Sequence, residues 1–495
     1  MAIDLSYITF TEQDDIVPAS GAARIRTNGI VNTLAGNDVI NASNQINNDD
    51  DVGFYTDRIA FFNSGSRTTL NTGEGNDSIT GIVSQNIDYF FDHYGIANDY
   101  EGRIDTGAGN DIITGIIQAG IYGSGIYNRI GSIDTGDGND TITGISQTGS
   151  GIVNQQGTIN TGDGQDTITG NGLSFGILLQ ESSALDTGKG NDTIAGTASY
   201  TGIRNSSTTF NTNDGDDIIN GTGTTNGIEN FKFIDTGDGN DMITGTGSID
   251  SGVGIYNASG SIIDTGEGND GITGIGIISS INNDGTINTG NSEDSIISQG
   301  KLINRGGVFL GDGNDSITVD TDVSDRALEN FNFIGTGDGN DTITSTGIIY
   351  NEGIIETGDG DDSIIVDGGI EDITGTTYGI YNNGGAINMG DGNDSIIANE
   401  GFESAENSSG AWFLGEGDDY IKGFGSGDFY GGNGNDTLEL TPGTYTVGIW
   451  GEAGESPIFT KGDQLMITSE FERLKAGSTI YDFTSLIAGQ IIVVA

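Results

Sequence analysis

Single isoleucines flanked by small or polar residues recur at fixed points along most of the chain. One type of segment reads Gly-Ile-x-Asn, a second runs into an acidic loop as in "SIDTG" (132–136), and a third leaves that loop as in "DTITG" (140–144). Alternation with a period of two is typical of a β-strand that buries one face. Runs of three to five residues are too short for helices, and the Gly and Asn between them favour turns. The pattern therefore predicts three short strands in each repeat.

The repeats align on the Asp that closes each acidic loop. From Asp140 to Asp241 the spacing is 24–26 residues. One repeat cannot bury its own isoleucines, whereas stacked repeats bury them as ladders. We therefore predict an all-β fold, a parallel β-solenoid (β-helix) of about sixteen coils with three short strands per coil and terminal caps. The aligned residues are Asp38, Asp77, Asp111, Asp140, Asp166, Asp192, Asp217, Asp241, Asp270, Asp294, Asp315, Asp341, Asp362, Asp394, Asp419 and Asp436.

The asparagines of the Gly-Ile-x-Asn segments predict a second ladder. In a stacked fold their amides come close enough to bond from coil to coil, which is a structural role. The residues concerned are Asn128, Asn154, Asn205, Asn230 and Asn257.

The prolines mark the limits of the repeats, because proline removes a hydrogen-bond donor from a central strand. Pro18, Pro442 and Pro457 all lie outside the repeat array. We therefore expect an N-terminal cap at 1–28, the solenoid repeats at 29–440 and a C-terminal β segment at 441–495. Within the last segment, "TYTVGIW" (444–450) and "IIVVA" (491–495) are predicted strands that cover the last coil.

The composition narrows the function classes. The chain has 495 residues with 87 Gly, no Cys, and 72 Asp+Glu against 16 Lys+Arg, for a net charge of −56. Such acidity argues against nucleic-acid binding, which needs clusters of Lys and Arg. No apolar run approaches the roughly 20 residues of a membrane-spanning helix. The first residues lack the basic and apolar regions of a Sec-type signal peptide, so we expect no such signal.

The repeated loop indicates cation binding. Equivalent Asp residues in adjacent coils lie about 4.8 Å apart, so sixteen ionised carboxylates in a row repel one another strongly. Calcium takes six to eight oxygen ligands from carboxylates and carbonyls, and glycines let the backbone turn its carbonyls inward. The middle residue of the loop varies, as in Ala108, Asp137 and Lys189, whereas the closing Asp does not. All sixteen closing Asp residues are therefore predicted Ca²⁺ ligands; the alternative is that Gly-x-Gly-Asn-Asp only forms a good turn.

These loops resemble the nonapeptide Gly-Gly-x-Gly-x-Asp-x-U-x (U being a large apolar residue) of RTX, or haemolysin-type, calcium-binding proteins. "GGNGNDTLE" (431–439) matches every constrained position, and most copies put Thr first, as in "TGDGNDTIT" (135–143). The resemblance implies that each calcium is shared by the loop Asp and the glycine carbonyls of adjacent turns. It implicates Asp140 with Gly136 and Gly138, and likewise along the row.

The chain departs from the RTX pattern in two ways. It has one loop per coil of about 25 residues rather than two nonapeptides per coil, which favours a single calcium-lined edge. Leu34, Asn213 and Ser292 each replace a loop glycine, so these three loops are the weakest candidates for a metal site.

The tail, with "TLELTPGTYTVGIW" (437–450) and "STIYDFTSLIAGQIIVVA" (478–495), is similar to the C-termini of secreted RTX-like proteins of cyanobacteria, including surface-fibril proteins of the oscillin kind. This resemblance implies type I secretion through an uncleaved C-terminal signal in 441–495. The predicted function is that of a secreted, calcium-stabilised structural protein: a unit of a surface layer, fibril or matrix, adhesive in some settings, and not an enzyme. The predicted partners are calcium ions, further copies of the chain in oligomers or filaments, and a cell-surface polysaccharide, with no nucleic acid and no membrane span. The predicted location is extracellular or at the cell surface.

Two other function classes remain open. Polysaccharide lyases and epimerases also use parallel β-helices, but they need an acid–base or basic cluster, and we find none in the sequence. The lone histidine, His93, is a poor candidate base. An ice-binding solenoid needs a regular Thr-x-Thr face; "TIT" occurs at 141–143, 167–169 and 342–344, but other repeats lack it.

The aromatic stretches 54–62 and 88–94 form either packed loops or contact patches for a partner.

Overall fold

Every coil repeats the same alternation of buried and outward side chains. In Thr141–Ser146, Ile142 is buried while Thr141 and Thr143 lie half-buried on the outer face. Burial of each inward isoleucine stabilises the fold by about 1.5–3 kcal/mol, which explains why so regular an Ile pattern suffices for a core. The computed structural model describes residues 2–18, 24–44, 59–84, 92–118, 122–248, 252–321, 326–371, 377–404, 410–450 and 456–495.

The strands of successive coils pair in parallel and in register. Ile113 pairs with Ile142, and Ile142 with Ile168, so equivalent residues stack directly. The predicted all-β parallel β-solenoid with three strands per coil and about sixteen coils is confirmed. We call the strands that carry the buried Asn the first sheet, those that enter the acidic loop the second sheet, and those that leave it the third sheet. The chain forms two units, Met1–Gly266 and Glu267–Ala495, each with eight of the sixteen aligned Asp residues.

In Met1–Gly266 all described strands belong to these three sheets. The first sheet contains Ala2–Asp4, Arg24–Thr27, Ile59–Ser64, His93–Asp99, Gly123–Arg129, Ile152–Gln155, Phe175–Gln180, Thr201–Asn205, Asn226–Asn230 and Val253–Asn257. The second contains Ile30–Asn32, Thr69–Asn71, Arg103–Asp105, Ser132–Asp134, Thr158–Asn160, Ala184–Asp186, Thr209–Asn211, Phe233–Asp235 and Ile262–Asp264. The third contains Ile16–Val17, Val39–Asn44, Ser78–Val83, Ile112–Ile117, Thr141–Ser146, Thr167–Gly172, Thr193–Ala198, Ile218–Gly223 and Met242–Gly247. A 3₁₀ turn spans Leu5–Tyr7.

In Glu267–Ala495 the parallel coils follow the same plan. The first sheet contains Ser279–Asn283, Leu302–Asn304, Arg326–Asn330, Ile348–Asn351, Ile380–Asn382 and Phe402–Ser404. The second contains Thr286–Asn288, Gly307–Phe309, Phe333–Gly335, Ile354–Asp359, Ala386–Asp391, Ala411–Gly417 and Gly427–Gly434. The third contains Gly271–Ile275, Ser295–Gln299, Ser316–Asp320, Thr342–Ser345, Ser363–Val366, Ser395–Ala398, Tyr420–Lys422 and Thr437–Leu440. A short hairpin pairs Ile370–Glu371 with Thr377–Tyr378.

After Leu440 the pairing becomes partly antiparallel. The second sheet continues through Gln464–Ser469, which pairs with Gly427–Gly434 in parallel, and then through antiparallel strands. The third sheet continues through Arg473–Ala476 and its antiparallel neighbour. The strands and the 3₁₀ turn added by this segment are Gly443–Trp450, Ser456–Lys461, Gln464–Ser469, Arg473–Ala476, Thr479–Asp482, Phe483–Ser485 and Ile491–Val494.

Both terminal segments, 1–28 and 441–495, contribute strands to the solenoid sheets. At the N-terminal end, Ala2–Asp4 pairs with Arg24–Thr27 and Ile16–Val17 pairs with Val39–Asn44, so residues within 1–28 already carry strands of the solenoid sheets. The limits at 28 and 440 stay predictions. Within the described residues, no helix has the length and apolar character needed to cross a membrane.

The glycines of the "TITG" and Gly-Ile-x-Asn segments let the first and third sheets approach each other closely. A Cβ added to Gly144 would lie 2.3 Å from the carbonyl oxygen of Gly151 and 2.5 Å from Cγ1 of Ile152. No side chain fits there in this coil, whereas other coils carry Ala42, Ser298 or Val319 at the equivalent position.

The predicted amide ladder is confirmed, with one interruption. Asn128 Nδ2 donates to Asn154 Oδ1 at 2.9 Å, and Asn205 Nδ2 donates to Asn230 Oδ1 at 2.9 Å. Between these two runs Leu179 takes the asparagine position and is fully buried. A third run of stacked amides, in Glu267–Ala495, comprises Asn283, Asn304, Asn330, Asn351 and Asn382.

Candidate metal centre

Each acidic loop joins the second sheet to the third. In the loop 135–140, Thr135 Oγ1 donates to the Thr161 carbonyl of the following coil at 3.2 Å. Gly136 has φ 86° and Gly138 has φ 148°, a region that favours glycine. The chain thus reverses within four residues and turns the Asp140 side chain inward, where it is 1% exposed.

The closing Asp residues form two continuous rows, one in each unit. The backbone N–H of each Asp donates to Oδ1 of the Asp in the next coil, as in Asp140 to Asp166 at 2.7 Å and Asp315 to Asp341 at 2.7 Å. One row runs from Asp38 to Asp241 and the other from Asp270 to Asp436, with distances of 2.6–2.9 Å. The structure therefore brings the predicted site residues together within each unit.

The second carboxylate oxygen of these residues is buried without a hydrogen-bond partner. A buried polar atom left unpaired costs about 1–3 kcal/mol, and more when it is charged. A whole row of such atoms calls for a positive partner. Among the described residues the pattern holds for Oδ2 of Asp38, Asp77, Asp111, Asp140, Asp166, Asp192, Asp217, Asp294, Asp315, Asp341, Asp362, Asp394, Asp419 and Asp436.

Burial makes these carboxyl groups weak acids. Desolvation, with a smaller contribution from neighbouring carboxylates, raises the pKa of Asp192 and Asp217 to about 7 and that of Asp140 to about 6. The hydrogen bond that each carboxylate accepts from the backbone N–H of the preceding Asp lowers the pKa, but less than burial raises it. Without a cation, Asp192 and Asp217 are therefore only partly ionised near neutral pH.

A second polar row follows the outside of the loops. The backbone N–H of Asn110 donates to Oδ1 of Asn76 at 2.6 Å, and that of Asn139 donates to Oδ1 of Asn110 at 2.9 Å. These bonds run toward the preceding coil, opposite to those of the buried Asp row. Each loop is thus held from both sides, and the inner carboxylate is fixed in position.

The oxygen donors of the loops are of the kind that calcium takes. The glycines of a loop close around its carboxylate: a Cβ added to Gly164 would lie 3.3 Å from Asp166 Oδ1, and one added to Gly431 would lie 2.8 Å from Asp436 Oδ2. No group of three or more His, Asp or Glu side chains converges in the described part of the chain. The ligands available to a cation are therefore the ladder carboxylates and main-chain carbonyls, the hard oxygen donors that calcium takes.

The three loops that lack a glycine keep the glycine conformation. Leu34, Asn213 and Ser292 have φ of 79°, 67° and 98°. Asp38, Asp217 and Asp294 after them remain in the rows. The backbone of the neighbouring coils therefore imposes the loop shape even where the residue does not favour it.

Two residues of the rows are absent from the sequence prediction. The Asp15 N–H donates to Asp38 Oδ1 at 2.8 Å, and the Asp436 N–H donates to Glu472 Oε2 at 2.8 Å. Asp15 lies in "TEQDDIV" (11–17), where the Asp-apolar ending of the repeat is present but both glycines are missing. Glu472 has no signal in the repeat pattern at all.

The other residues considered in the sequence are not members of these rows. His93 is buried in the strand His93–Asp99, and its Nδ1 lies 3.2 Å from the Tyr122 carbonyl oxygen. Lys189 in the middle of its loop is exposed and forms an ion pair with Asp214. Of the aromatic stretches, residues 54–58 and 88–91 lie outside the described residues; Phe61 and Tyr94 are buried.

Comparisons with known proteins give matches among solved structures. No family model and no curated protein matches the chain. Among solved structures, the chain is similar to the crystal structure of a hyperactive, Ca²⁺-dependent, β-helical antifreeze protein from an Antarctic bacterium. The identity is 17%, the alignment covers 96% of this chain and 94% of that chain, and the TM-score is 0.25. At that similarity the neighbour's activity does not carry over to this chain.

Proposed function

We propose that the two Asp rows bind calcium and that the protein is a secreted, calcium-stabilised structural solenoid. The observation that carries this proposal is the repetition of a buried carboxylate oxygen with no hydrogen-bond partner, coil after coil. Calcium supplies positive charge between neighbouring carboxylates and accepts the loop carbonyls as further ligands. The chain's own residues hold the carboxylates in place through the N–H to Oδ1 ladder.

A structural role at the outside of the cell is consistent with this arrangement. Where free calcium is scarce, the rows repel themselves and oppose folding, so the chain stays unfolded until it is exported. A protein that folds on meeting external calcium suits type I secretion, and its acidic surface suits a surface layer, fibril or matrix. The proposal includes no catalytic step.

The test is calcium-dependent folding. Circular dichroism is recorded on purified protein with chelator, then with millimolar calcium, and with magnesium at the same concentration. We expect strand content to appear with calcium, and bound ions to be countable by calorimetry. Equal strand content with chelator and with calcium, together with no measurable calcium binding, contradicts the proposal.

Ice binding is the second candidate, and one observation favours it. The outer face of the third sheet in Met1–Gly266 carries threonines in two columns. Thr141, Thr167 and Thr193 pair in register in one column, and Thr80, Thr114, Thr143 and Thr169 in the other. Because adjacent strands are about 4.8 Å apart, their hydroxyls repeat at that spacing, a regular array that can order water.

Thermal hysteresis of the calcium-loaded protein distinguishes the two candidates. Thr143→Tyr places a ring inside the columns, whereas Thr158→Tyr, exposed on the second sheet, is the matched control. Ice binding predicts hysteresis that Thr143→Tyr abolishes and Thr158→Tyr preserves. Absence of hysteresis in the folded wild type removes this candidate and leaves the structural proposal.

A further inference from the structure

The outer face of the first sheet in Met1–Gly266 contains a cavity of about 380 Å³. It lies on a different face from the acidic loops, which join the second and third sheets. It is lined by Phe175, Leu178, Gln180, Glu181, Arg204 and Ser206.

The apolar part of the cavity consists of ring faces and one buried side chain. Leu178 is 8% exposed and forms the floor. The Phe175 ring packs edge-on against Tyr200, with centroids 6.4 Å apart, and Tyr200 is 52% exposed. The Arg204 guanidinium lies over the rings of Phe231 at 4.8 Å and Phe175 at 5.9 Å. The cavity thus offers flat, rigid apolar surfaces that lose little entropy on binding.

The polar part is a rim of groups held by a hydrogen-bond network. Gln155 Nε2 donates to Glu181 Oε1 at 3.1 Å, and the Tyr127 hydroxyl donates to Gln155 Oε1 at 3.0 Å. Arg204 Nη1 lies 3.5 Å from Glu229 Oε2, with the Arg204 side chain 38% exposed. The rim therefore offers both donors and acceptors in fixed positions.

Charge at the cavity is close to balanced, which is unusual for this chain. Arg204 is paired with Glu229, and Glu181 is the one other charge in the lining. The chain as a whole carries −56 and repels polyanions. The occupant that fits has apolar patches, many hydroxyl groups and no net charge.

We propose that this cavity binds a segment of a neutral oligosaccharide or polysaccharide. The C–H face of a sugar ring packs against Phe175 and Leu178, and its hydroxyls bond to Gln180, Glu181 and Arg204. This combination of an apolar floor with a few fixed polar groups is the usual composition of a small-molecule site. The inference requires the observed fold but does not rest on the calcium assignment.

Affinity electrophoresis tests the proposal. Calcium-loaded protein is run through native gels with hydroxyethylcellulose, laminarin or xylan as neutral polymers and hyaluronate as an acidic one. Two variants change the cavity: Arg204→Ala removes a rim group, and Ser206→Trp fills the space without removing any ladder contact. The matched control is Arg305→Ala, because Arg305 lies over Phe331 at 5.6 Å in the same manner but outside the cavity. Circular dichroism of every sample verifies strand content.

We expect at least one neutral polymer to retard the wild type and Arg305→Ala equally. Binding should be at least ten-fold weaker in both Arg204→Ala and Ser206→Trp. Retardation that Ser206→Trp leaves unchanged overturns the proposal, as does retardation by hyaluronate alone or by none of the four polymers. Concentration-dependent self-association that Ser206→Trp abolishes assigns the cavity to a second copy of the chain instead.

Discussion

At the scale of single residues, the two carboxylate oxygens of the closing Asp have separate roles. Its Oδ1 accepts the ladder hydrogen bond, while its Oδ2 remains buried and available to a cation, as in Asp166. Asn retains the acceptor oxygen but replaces Oδ2 with a donor. Substitution by Asn therefore separates the ladder from the charge.

We expect Asp166→Asn to have opposite effects with and without calcium. Without the ion, the variant loses a buried charge, so a larger fraction of it should be folded than of the wild type. With calcium, it loses a ligand and should be less stable by about 1–3 kcal/mol. Circular dichroism in chelator measures the first effect, and thermal unfolding in calcium measures the second. Asp163→Asn, exposed in the same loop, is the control and should change neither; a destabilised Asp166→Asn in both conditions contradicts the proposed roles.

The raised pKa values predict the pH dependence of the metal-free protein. In the unfolded chain these carboxyl groups titrate near 4, whereas burial raises the pKa of Asp192, Asp217 and Asp394 to about 7. Between these values the folded state binds more protons, so the free energy of unfolding decreases as pH rises from about 4 to about 7.

The strand content measured by circular dichroism in chelator should therefore be higher at pH 5 than at pH 8. Saturating calcium should remove this slope or reverse it, because the ion favours the ionised form. A metal-free protein that becomes more stable from pH 5 to pH 8 contradicts this prediction.

At the scale of the element, the coil is the unit of structure. The coil that contains Leu179 interrupts the asparagine ladder. Leu179 separates two runs of stacked asparagines, Asn154 below it and Asn205 above it. Deletion of residues 167–192 joins Asp166 to Thr193 and removes one whole coil.

We expect the protein lacking 167–192 to fold in calcium, with Asn154 stacked on Asn205 and one loop fewer. Calorimetry should count fewer bound ions, and circular dichroism should show the same strand signature. Deletion of 167–179 removes half a coil and is the control, since it brings an Asp loop against a strand. Equal behaviour of the two deletions contradicts the coil as the structural unit.

At the scale of the whole molecule, two kinds of charge must be distinguished. Most of the net charge of −56 is exposed and is screened by salt, with a Debye length of about 10 Å at 0.1 M. The Asp rows are buried and are screened much less. Sodium chloride at 0.5 M should therefore not replace millimolar calcium in folding the chain.

Small-angle scattering measures this prediction. For an unfolded chain of 495 residues the radius of gyration is about 80 Å, and calcium should reduce it substantially. Sodium chloride alone should leave it near the unfolded value; compaction by sodium chloride to the calcium value contradicts a specific role for the divalent ion.

The sequence predicts the coils because each one repeats the same local rules of alternation and turn formation. It does not predict the residues that the fold holds by context alone. Leu34 adopts a glycine conformation because its neighbours impose it, and Asp15 and Glu472 join the rows at their ends without the loop motif. Nor does the repeat pattern show Phe175 and Arg204 together, since their approach depends on coils stacking in register.

The length of chain between successive ladder bonds varies while the bond itself does not. Asp38 and Asp77 are 39 residues apart, and Asp419 and Asp436 are 17 apart, yet both pairs make the same N–H to carboxylate contact. The contact is therefore independent of the number of residues between two successive loop Asp residues. A gene that encodes such repeats can therefore gain or lose whole repeats by unequal recombination. It can also accept insertions between the loops. A frame-preserving insertion inside Thr-Gly-x-Gly-Asn-Asp, in contrast, removes one Asp contact from the row. Allelic variation in the family of such genes should be concentrated in repeat number and in the length of chain between loops.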